Sequence, residues 1–186
     1  SSTGPGGPAS VDILPSSNTI SSASGSKVTF IVTVKDGKNS AMANQSVNFV
    51  ASSGTLSGAN PTPKTDASGN ITTVSLSPGA DATVRNITVT ATSGSVSKSV
   101  SIPVTGTTLT ISGPGSALVS GKPLSYGVKA LDSAGKPLKG LALTLSSTLG
   151  NTVSPPTATT DVSGVATFDV IPSVVGTDTI RATGLG

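Results

Sequence analysis

The chain has 186 residues, of which 34% are hydrophobic, 10% charged and 2% aromatic. It contains no Cys and no His, which excludes a disulfide scaffold, thiolate metal sites and nucleophilic sites built on Cys–His or Ser–His–Asp. All acidic residues are Asp, and Ser, Thr and Asn supply most of the polarity, which favours strands and turns over helices. We therefore expect an all-β protein.

The positive charge is dispersed along the chain. The net charge is +3, and one stretch carries Lys122, Lys129, Lys136 and Lys139 with Tyr126 as its only aromatic residue. Nucleic-acid surfaces combine clustered cations with stacking rings, so the pattern indicates a solvated face and argues against a nucleic-acid partner. No stretch approaches the ~18 apolar residues of a membrane-spanning helix.

The chain begins with residues 1–9, which are Ser, Thr, Gly, Pro and Ala and are predicted to form a flexible tether. A first module is expected over residues 10–104. Within residues 28–34, Val and Phe occupy every second position. Period-two alternation predicts a strand with these apolar side chains on the core face.

Further turns and strands follow in the first module. Turns are predicted at Asp36-Gly37 and over Thr65–Gly69, because Gly permits positive φ and Asp caps turns. The segment Ile71–Leu76 alternates less cleanly and predicts a bulge. The remaining strands are marked by Val47 with Phe49, by Val89 with Ala91, and by Lys98–Val104, whose Val100, Ile102 and Val104 share one face.

The same pattern recurs later in the chain. Phe30 matches Tyr126 and Asp36 matches Asp132 at an offset of 96 positions, and Asp66 matches Asp161 at an offset of 95. Two homologous modules follow, close in size to the ~100 residues of an immunoglobulin-like (Ig-like) sandwich. The second is expected over residues 105–186. Residues 105–107 form a short linker that predicts an extended, rod-like pair.

The second module is predicted to lack its final strand. Ala91 and Ala182 are equivalent and lie 91 positions apart, so the counterpart of Lys98 would stand at about position 189, beyond Gly186. Two explanations remain open. Either the chain was cut there, or a neighbouring chain adds a strand to the open edge, which is a known mode of recognition.

Three segments resemble a known family: residues 132–137 (DSAGKP), 141–145 (LALTL) and 160–168 (TDVSGVATF). They are similar to the bacterial Ig-like (Big) domains of the invasin and intimin type. The resemblance implies stalk modules of an adhesin at the bacterial cell surface, anchored to the outer membrane in the full-length protein. It further implies neighbouring Ig-like modules as partners, with host-cell protein or glycan as another, and a monomeric chain.

Alternatively, the chain is a binding module of a surface lipoprotein. Recognition of glycan or host protein would then use the loops at Leu56–Pro63 or Thr148–Pro156, which differ between the modules. A self-formed crosslink between Lys35 and Asn48 is a further hypothesis.

The candidate acid–base or metal-binding groups are Asp36 with Asp66 and Asp132 with Asp161, which the fold can bring together in pairs. A glycosidase needs two carboxylates about 5–10 Å apart, and Ca²⁺ needs several oxygen ligands. Each of these residues stands beside Gly or Ser in a predicted turn, so capping of the turn is the favoured role. No enzymatic activity, cofactor or metal is expected, and these four Asp are the calcium candidates.

Overall fold

The computed structural model describes residues 6–186 and divides them into two compact units. Unit 1 comprises the described residues up to Asp81 together with Arg85–Thr105, and unit 2 comprises Ala82–Val84 with Gly106–Gly186. Residues 1–5 of the predicted tether lie outside the described part. Ala9, at its end, donates a backbone hydrogen bond to the Lys35 carbonyl at 2.8 Å.

Both units are built only of strands and turns, as the composition predicts. No helix occurs in residues 6–186, and therefore none that could cross a membrane. The strands of unit 1 are β1 (Ser10–Pro15), β2 (Ile20–Ser21), β3 (Val28–Lys35), β4 (Asn48–Ala51), β5 (Thr55–Ser57), β6 (Asn70–Ile71), β7 (Ser75–Ser77), β8 (Asn86–Ser93) and β9 (Val96–Thr105). Those of unit 2 are β10 (Thr108–Ser112), β11 (Leu124–Leu131), β12 (Ala142–Ser147), β13 (Thr152–Ser154), β14 (Thr157–Thr159), β15 (Val165–Ile171) and β16 (Ile180–Thr183).

Unit 1 is a sandwich of two sheets. One sheet has the order β1-β3-β7-β5, with β6 also paired to β3, and the other has the order β2-β9-β8-β4. The alternating residues of β3 form the centre of the core, since Phe30 is 1% exposed and Val32 and Val34 are fully buried. Residues of the second sheet, Val89 and Ile102, are also fully buried and complete one continuous apolar cluster.

The predicted bulge is present after β6. Val32 pairs with Ile71 and Val28 with Leu76, so five residues of β3 lie opposite six residues of the other segment. The equivalent stretch of unit 2 is regular, because β11 and β15 keep a single register throughout. Because of the extra residue, unit 1 has two short strands, β6 and β7, where unit 2 has the single strand β15.

Unit 2 repeats this sandwich, and its described residues include no strand equivalent to β2 or β9. Its sheets have the orders β10-β11-β15-β13 and β14-β12-β16. In unit 1, β8 pairs with β4 on one side and with β9 on the other, whereas β12 is the only strand in residues 6–186 that pairs with β16. In the part of the chain that the structure describes, β16 is therefore paired on one side only.

Candidate functional site

The four candidate Asp residues occupy four copies of one turn. In each, the carboxylate Oδ1 accepts the backbone N–H groups two and four residues later, at 2.8–3.0 Å. The fourth residue of the turn has positive φ and is Gly69, Gly135 or Gly164 in three turns and Asn39 in the other. The turns begin at Asp36, Asp66, Asp132 and Asp161.

These hydrogen bonds occupy the carboxylates in the turns themselves. The backbone N–H groups of Ser40 and Lys38 lower the pKa of Asp36 from its ordinary value, because they stabilise the ionised form. No group of three or more Asp side chains able to hold a metal ion occurs within residues 6–186. The arrangement supports capping of the turns, which is the role favoured by the sequence.

A buried threonine accompanies one turn of each unit. The hydroxyl of Thr65 donates to the Met42 carbonyl at 2.6 Å and accepts the Gln45 N–H at 2.9 Å. In unit 2, the Thr160 hydroxyl donates to the Leu138 carbonyl at 2.5 Å and accepts the Leu141 N–H at 2.9 Å. Each threonine therefore ties the turn to a neighbouring chain segment, and its polar atom is satisfied within the fold.

The hypothetical crosslink partners lie on different sheets of unit 1. Lys35 ends β3, opposite Ser10 of β1, and Asn48 begins β4, opposite Thr92 of β8. The Asn48 side chain is exposed, on the outer side of its strand. The structure does not bring these two residues together in one sheet.

A polar cluster in unit 2 was missed by the sequence reasoning. The Oδ2 atom of Asp178 accepts hydrogen bonds from the Ser147 hydroxyl at 2.6 Å and from the Asn151 side-chain amide at 2.9 Å. The Oδ1 atom accepts hydrogen bonds from the Thr148 hydroxyl and from the Leu149 backbone N–H. Partial burial raises the pKa of Asp178, but the hydrogen bonds from Ser147, Asn151, Leu149 and Thr148 outweigh it and lower the pKa to about 2.

The other side of the Asn151 amide extends the cluster. Its carbonyl oxygen accepts the backbone N–H of Ser173 at 2.9 Å and that of Val174 at 3.3 Å. Asn151 and Asp178 together therefore hold the loop between β15 and β16 against the loop between β12 and β13. A carboxylate that is ionised at neutral pH and accepts this many hydrogen bonds is suited to holding loops and unsuited to supplying a proton.

Unit 2 also contains an open groove of about 520 Å³. Apolar side chains of the two sheets and of the segment before β11 line it, and Asn151 and Asp178 lie at one end. Its apolar lining includes Val119, Leu124, Tyr126, Val170, Val175 and Ile180. Tyr126 is held by a hydrogen bond from its hydroxyl to the Pro114 carbonyl at 2.7 Å.

Only one of the two predicted binding loops lines the groove. Leu149 and Asn151, from the loop at Thr148–Pro156, line it. The loop at Leu56–Pro63 belongs to unit 1 and lines no part of it.

Comparison with solved structures identifies the fold. The adhesin InvE of Yersinia pseudotuberculosis superimposes with a TM-score of 0.64 at 17% identity, covering 94% of this chain and 55% of that one. Invasin, a bacterial integrin-binding protein, gives a TM-score of 0.51 at 19% identity, covering 94% of this chain and 36% of that one. The chain has the fold of the bacterial Ig-like domains of the invasin and intimin type.

The similarity is one of structure. At the level of sequence, neither a protein-family model nor a curated protein matches the chain. The D0-D1 domain of intimin, at 23% identity, is covered over 91% of its length with a TM-score of 0.42. The chain spans about half the length of the InvE structure. The two structures with TM-scores above 0.5 are those of a bacterial adhesin and a bacterial integrin-binding protein.

Proposed function

We propose that the two units are spacer modules of a bacterial surface adhesin, which hold an adhesive part of the protein away from the cell. The observation that carries this proposal is the repeated use of polar side chains within the fold. The turn carboxylates and the buried Thr65 and Thr160 bond their own unit's backbone. Modules of this kind contribute length and rigidity.

Location and partners follow from the same proposal. The fold neighbours are bacterial adhesins, so we infer an extracellular position at the cell surface, with outer-membrane anchoring in the full-length protein. The direct partners would be neighbouring Ig-like modules, and the chain would be monomeric. Any contact with a host-cell protein would belong to the adhesin as a whole.

The proposal includes no catalysis and no cofactor. The four turn carboxylates each accept two backbone N–H groups, and the lowered pKa of Asp178 keeps that group ionised at neutral pH. A general acid needs a pKa near the working pH, whereas the hydrogen bonds to Asp178 lower its pKa to about 2. The calcium candidates are Asp36, Asp66, Asp132 and Asp161, and the proposal assigns them to turn capping.

Small-angle X-ray scattering tests the spacer role. A compact globule of 186 residues has a radius of gyration of about 16 Å. The proposal predicts a monomer with a clearly larger value, independent of protein concentration. A matched variant with a Gly/Ser insertion after Gly106 should broaden the distance distribution, because the insertion loosens the connection. A value near that of the globule in both proteins would contradict the spacer role.

Binding by exposed loops is the competing function. It predicts that the isolated chain retains a glycan or host-matrix protein in a binding screen, and that substitutions in Leu56–Pro63 or Thr148–Pro156 abolish the binding. The spacer proposal predicts no loop-dependent binding.

A further inference from the structure

The chain enters and leaves unit 1 at opposite ends of its sandwich. Where it enters, the Pro8 ring lies beside Gly94, in the turn that leads from β8 into β9. Where it leaves, Thr105 is the last residue of β9, which is ten residues long. A strand of this length spans about 33 Å. A pulling force that reaches unit 1 through the chain therefore acts along its strands, in opposite directions at the two ends.

The short strand β2 connects the incoming chain to the outgoing one. Ile20 and Ser21 lie opposite the last two residues of β9 in a parallel pairing. The backbone N–H of Ser22 adds a hydrogen bond to the Thr105 carbonyl at 2.8 Å. In a parallel pair, the chain before one strand and the chain after the other leave at opposite ends. Tension on the two segments therefore slides β2 and β9 along each other, and their hydrogen bonds are loaded together in shear.

The preceding strand, β1, is held by a longer ladder. Its six residues lie opposite Phe30–Lys35 of β3, and the Ser16 N–H continues the ladder with a hydrogen bond to the Thr29 carbonyl at 2.8 Å. Because the chain enters beside the start of β9, tension on Ala9 pulls β1 along its own axis. The hydrogen bonds of an antiparallel ladder run perpendicular to the strands, so this motion strains all of them at once.

Buried side chains add to the resistance of both strands. Val11 of β1 is 4% exposed and Ile20 of β2 is 2% exposed, and both belong to the core cluster of unit 1. Sliding either strand moves these side chains out of the core and exposes apolar surface to water. Residues 16–19, between the two strands, are exposed. The two strands are therefore the parts of this segment that carry the load.

We propose that unit 1 is a force-bearing module, in which β1 and β2 resist unfolding when the chain is pulled from both sides. This inference rests on the spacer role, because a spacer between a cell and an adhesive contact carries tension. It also goes beyond that role, since a spacer requires only length. Unfolding under force depends on the rate at which the first structure breaks, and here that structure is the pairing of β1 and β2.

Single-molecule force measurement on the whole chain tests this with two attachment geometries. The chain has no Cys, so two introduced Cys residues define where the force acts. Ala9→Cys with Thr105→Cys loads β1 and β2 in shear. Ala9→Cys with Gly37→Cys instead separates the adjacent ends of β1 and β3, because Ser10 lies opposite Lys35. All three substituted positions are exposed, and a Cβ at Gly37 has no neighbouring atom within 4 Å.

We expect the rupture force to be severalfold higher in the first geometry than in the second. The six residue pairs of β1 and β3 break together when the strand is sheared, and one after another when its end is peeled away. The first geometry should also give one unfolding step of about 300 Å, which is the length gained when residues 10–105 become extended.

Two matched variants distinguish the force-bearing strands from the rest of the core. Ile20 of β2 and Ile71 of β6 are 2% and 3% exposed in the same cluster, so Ile20→Ala and Ile71→Ala remove the same atoms. Both should lower the denaturant midpoint of unit 1. Only Ile20→Ala should lower the rupture force in the shear geometry. Ile20→Val and Ile71→Val repeat the comparison with a smaller loss if either alanine variant does not fold.

Similar rupture forces in the two geometries would overturn the proposal, and so would an equal loss of rupture force in the two matched variants. The scattering experiment tests the spacer role separately. An elongated monomer that ruptures at equally low force in both geometries would keep the spacer role and refute the force-bearing function. A compact particle that resists shear would refute the spacer role alone.

Discussion

Units 1 and 2 share their strands and turns but differ in how the sandwich is closed. In unit 1, Ile20 of β2 and Val104 of β9 complete the second sheet, and sixteen buried apolar residues form one cluster. In unit 2 the corresponding cluster has six buried residues, and Leu124 and Tyr126 are only partly buried. The comparison shows what β9 contributes in unit 1: it pairs with β8, whose Val89 and Ala91 are fully buried, whereas Ile180 and Ala182 of β16 are partly exposed.

The same end of the sandwich is also fastened in two ways. In unit 1, the Arg85 guanidinium donates to Ser53 and to the carbonyls of Pro78 and Asp81, and it lies 3.7 Å from the Asp81 carboxylate. Unit 2 uses Asn151 and Asp178 for the equivalent loop. A cation that donates to carbonyls and an anion that accepts N–H groups thus perform the same task.

The largest expected effect is the loss of stability when a buried ring is removed from either core. Phe30→Ala and Phe168→Ala each remove a ring that is 1% exposed, which typically lowers the free energy of unfolding by about 3–5 kcal/mol. We expect Phe30→Ala at the upper end, because its core is sealed, and Phe168→Ala at the lower end, because water already reaches the groove. Denaturant titration measures both, with Tyr126 fluorescence reporting on unit 2. Equal losses in the free energy of unfolding for the two variants would contradict the proposed difference between the two cores.

A smaller effect concerns the Asp178 cluster. Asp178→Asn replaces one acceptor oxygen by a donor and leaves two N–H or O–H groups unpaired, so unit 2 should lose about 1–3 kcal/mol of stability. The folded pKa of about 2 lies below the ordinary 3.8. The contribution is therefore fully present above pH 4 and is lost as the pH falls towards 2.

The measurement is the Tyr126-detected unfolding midpoint between pH 5 and about pH 2. Arg85→Met is the control. It removes the hydrogen bonds that hold the equivalent loop of unit 1 and leaves the hydrogen bonds of the Asp178 carboxylate in unit 2 intact. An Asp178→Asn variant with the pH dependence of the parent would contradict the assigned role.

Replacing the capping Asp residues of the turns should lower stability by a smaller amount, which depends on how buried each residue is. Asp132 is 6% exposed and Asp161 is exposed, although both accept the same pair of backbone N–H groups. Asp132→Ala should lower the free energy of unfolding of unit 2 by about 1–2 kcal/mol, because it removes two hydrogen bonds and a buried side chain. Asp161→Ala should cost less. A larger loss of thermal stability for Asp161→Ala than for Asp132→Ala would show that burial does not determine the size of the loss.

The smallest expected effect is that of calcium. Millimolar Ca²⁺ or EDTA should leave the melting temperatures of both units unchanged, because the turn carboxylates are engaged by the backbone. Differential scanning calorimetry checks this. A rise in melting temperature with Ca²⁺ that Asp132→Asn or Asp36→Asn abolishes would restore the metal hypothesis.

Local patterns predicted most of the fold. Alternation in residues 28–34 indicated β3, and the irregular segment Ile71–Leu76 indicated the bulge. Each of these depends on backbone periodicity, which neighbouring residues reveal. The Asp-Gly turns were predictable for the same reason, since every capping contact lies within five residues.

The polar clusters could not be predicted in this way. Asp178 bonds to residues 27 to 31 positions earlier, and Arg85 bonds to Ser53 across 32 positions. Their pairing depends on which loops the sandwich brings together.

Amide hydrogen exchange on the unliganded chain tests the central difference most directly. Strand β8 is paired on both sides and β16 on one side only. Slow exchange across Asn86–Ser93 together with fast exchange at the outward amides of Ile180–Thr183 is the result that the open edge predicts. Equal, strong protection of the two strands in a monomer would contradict it.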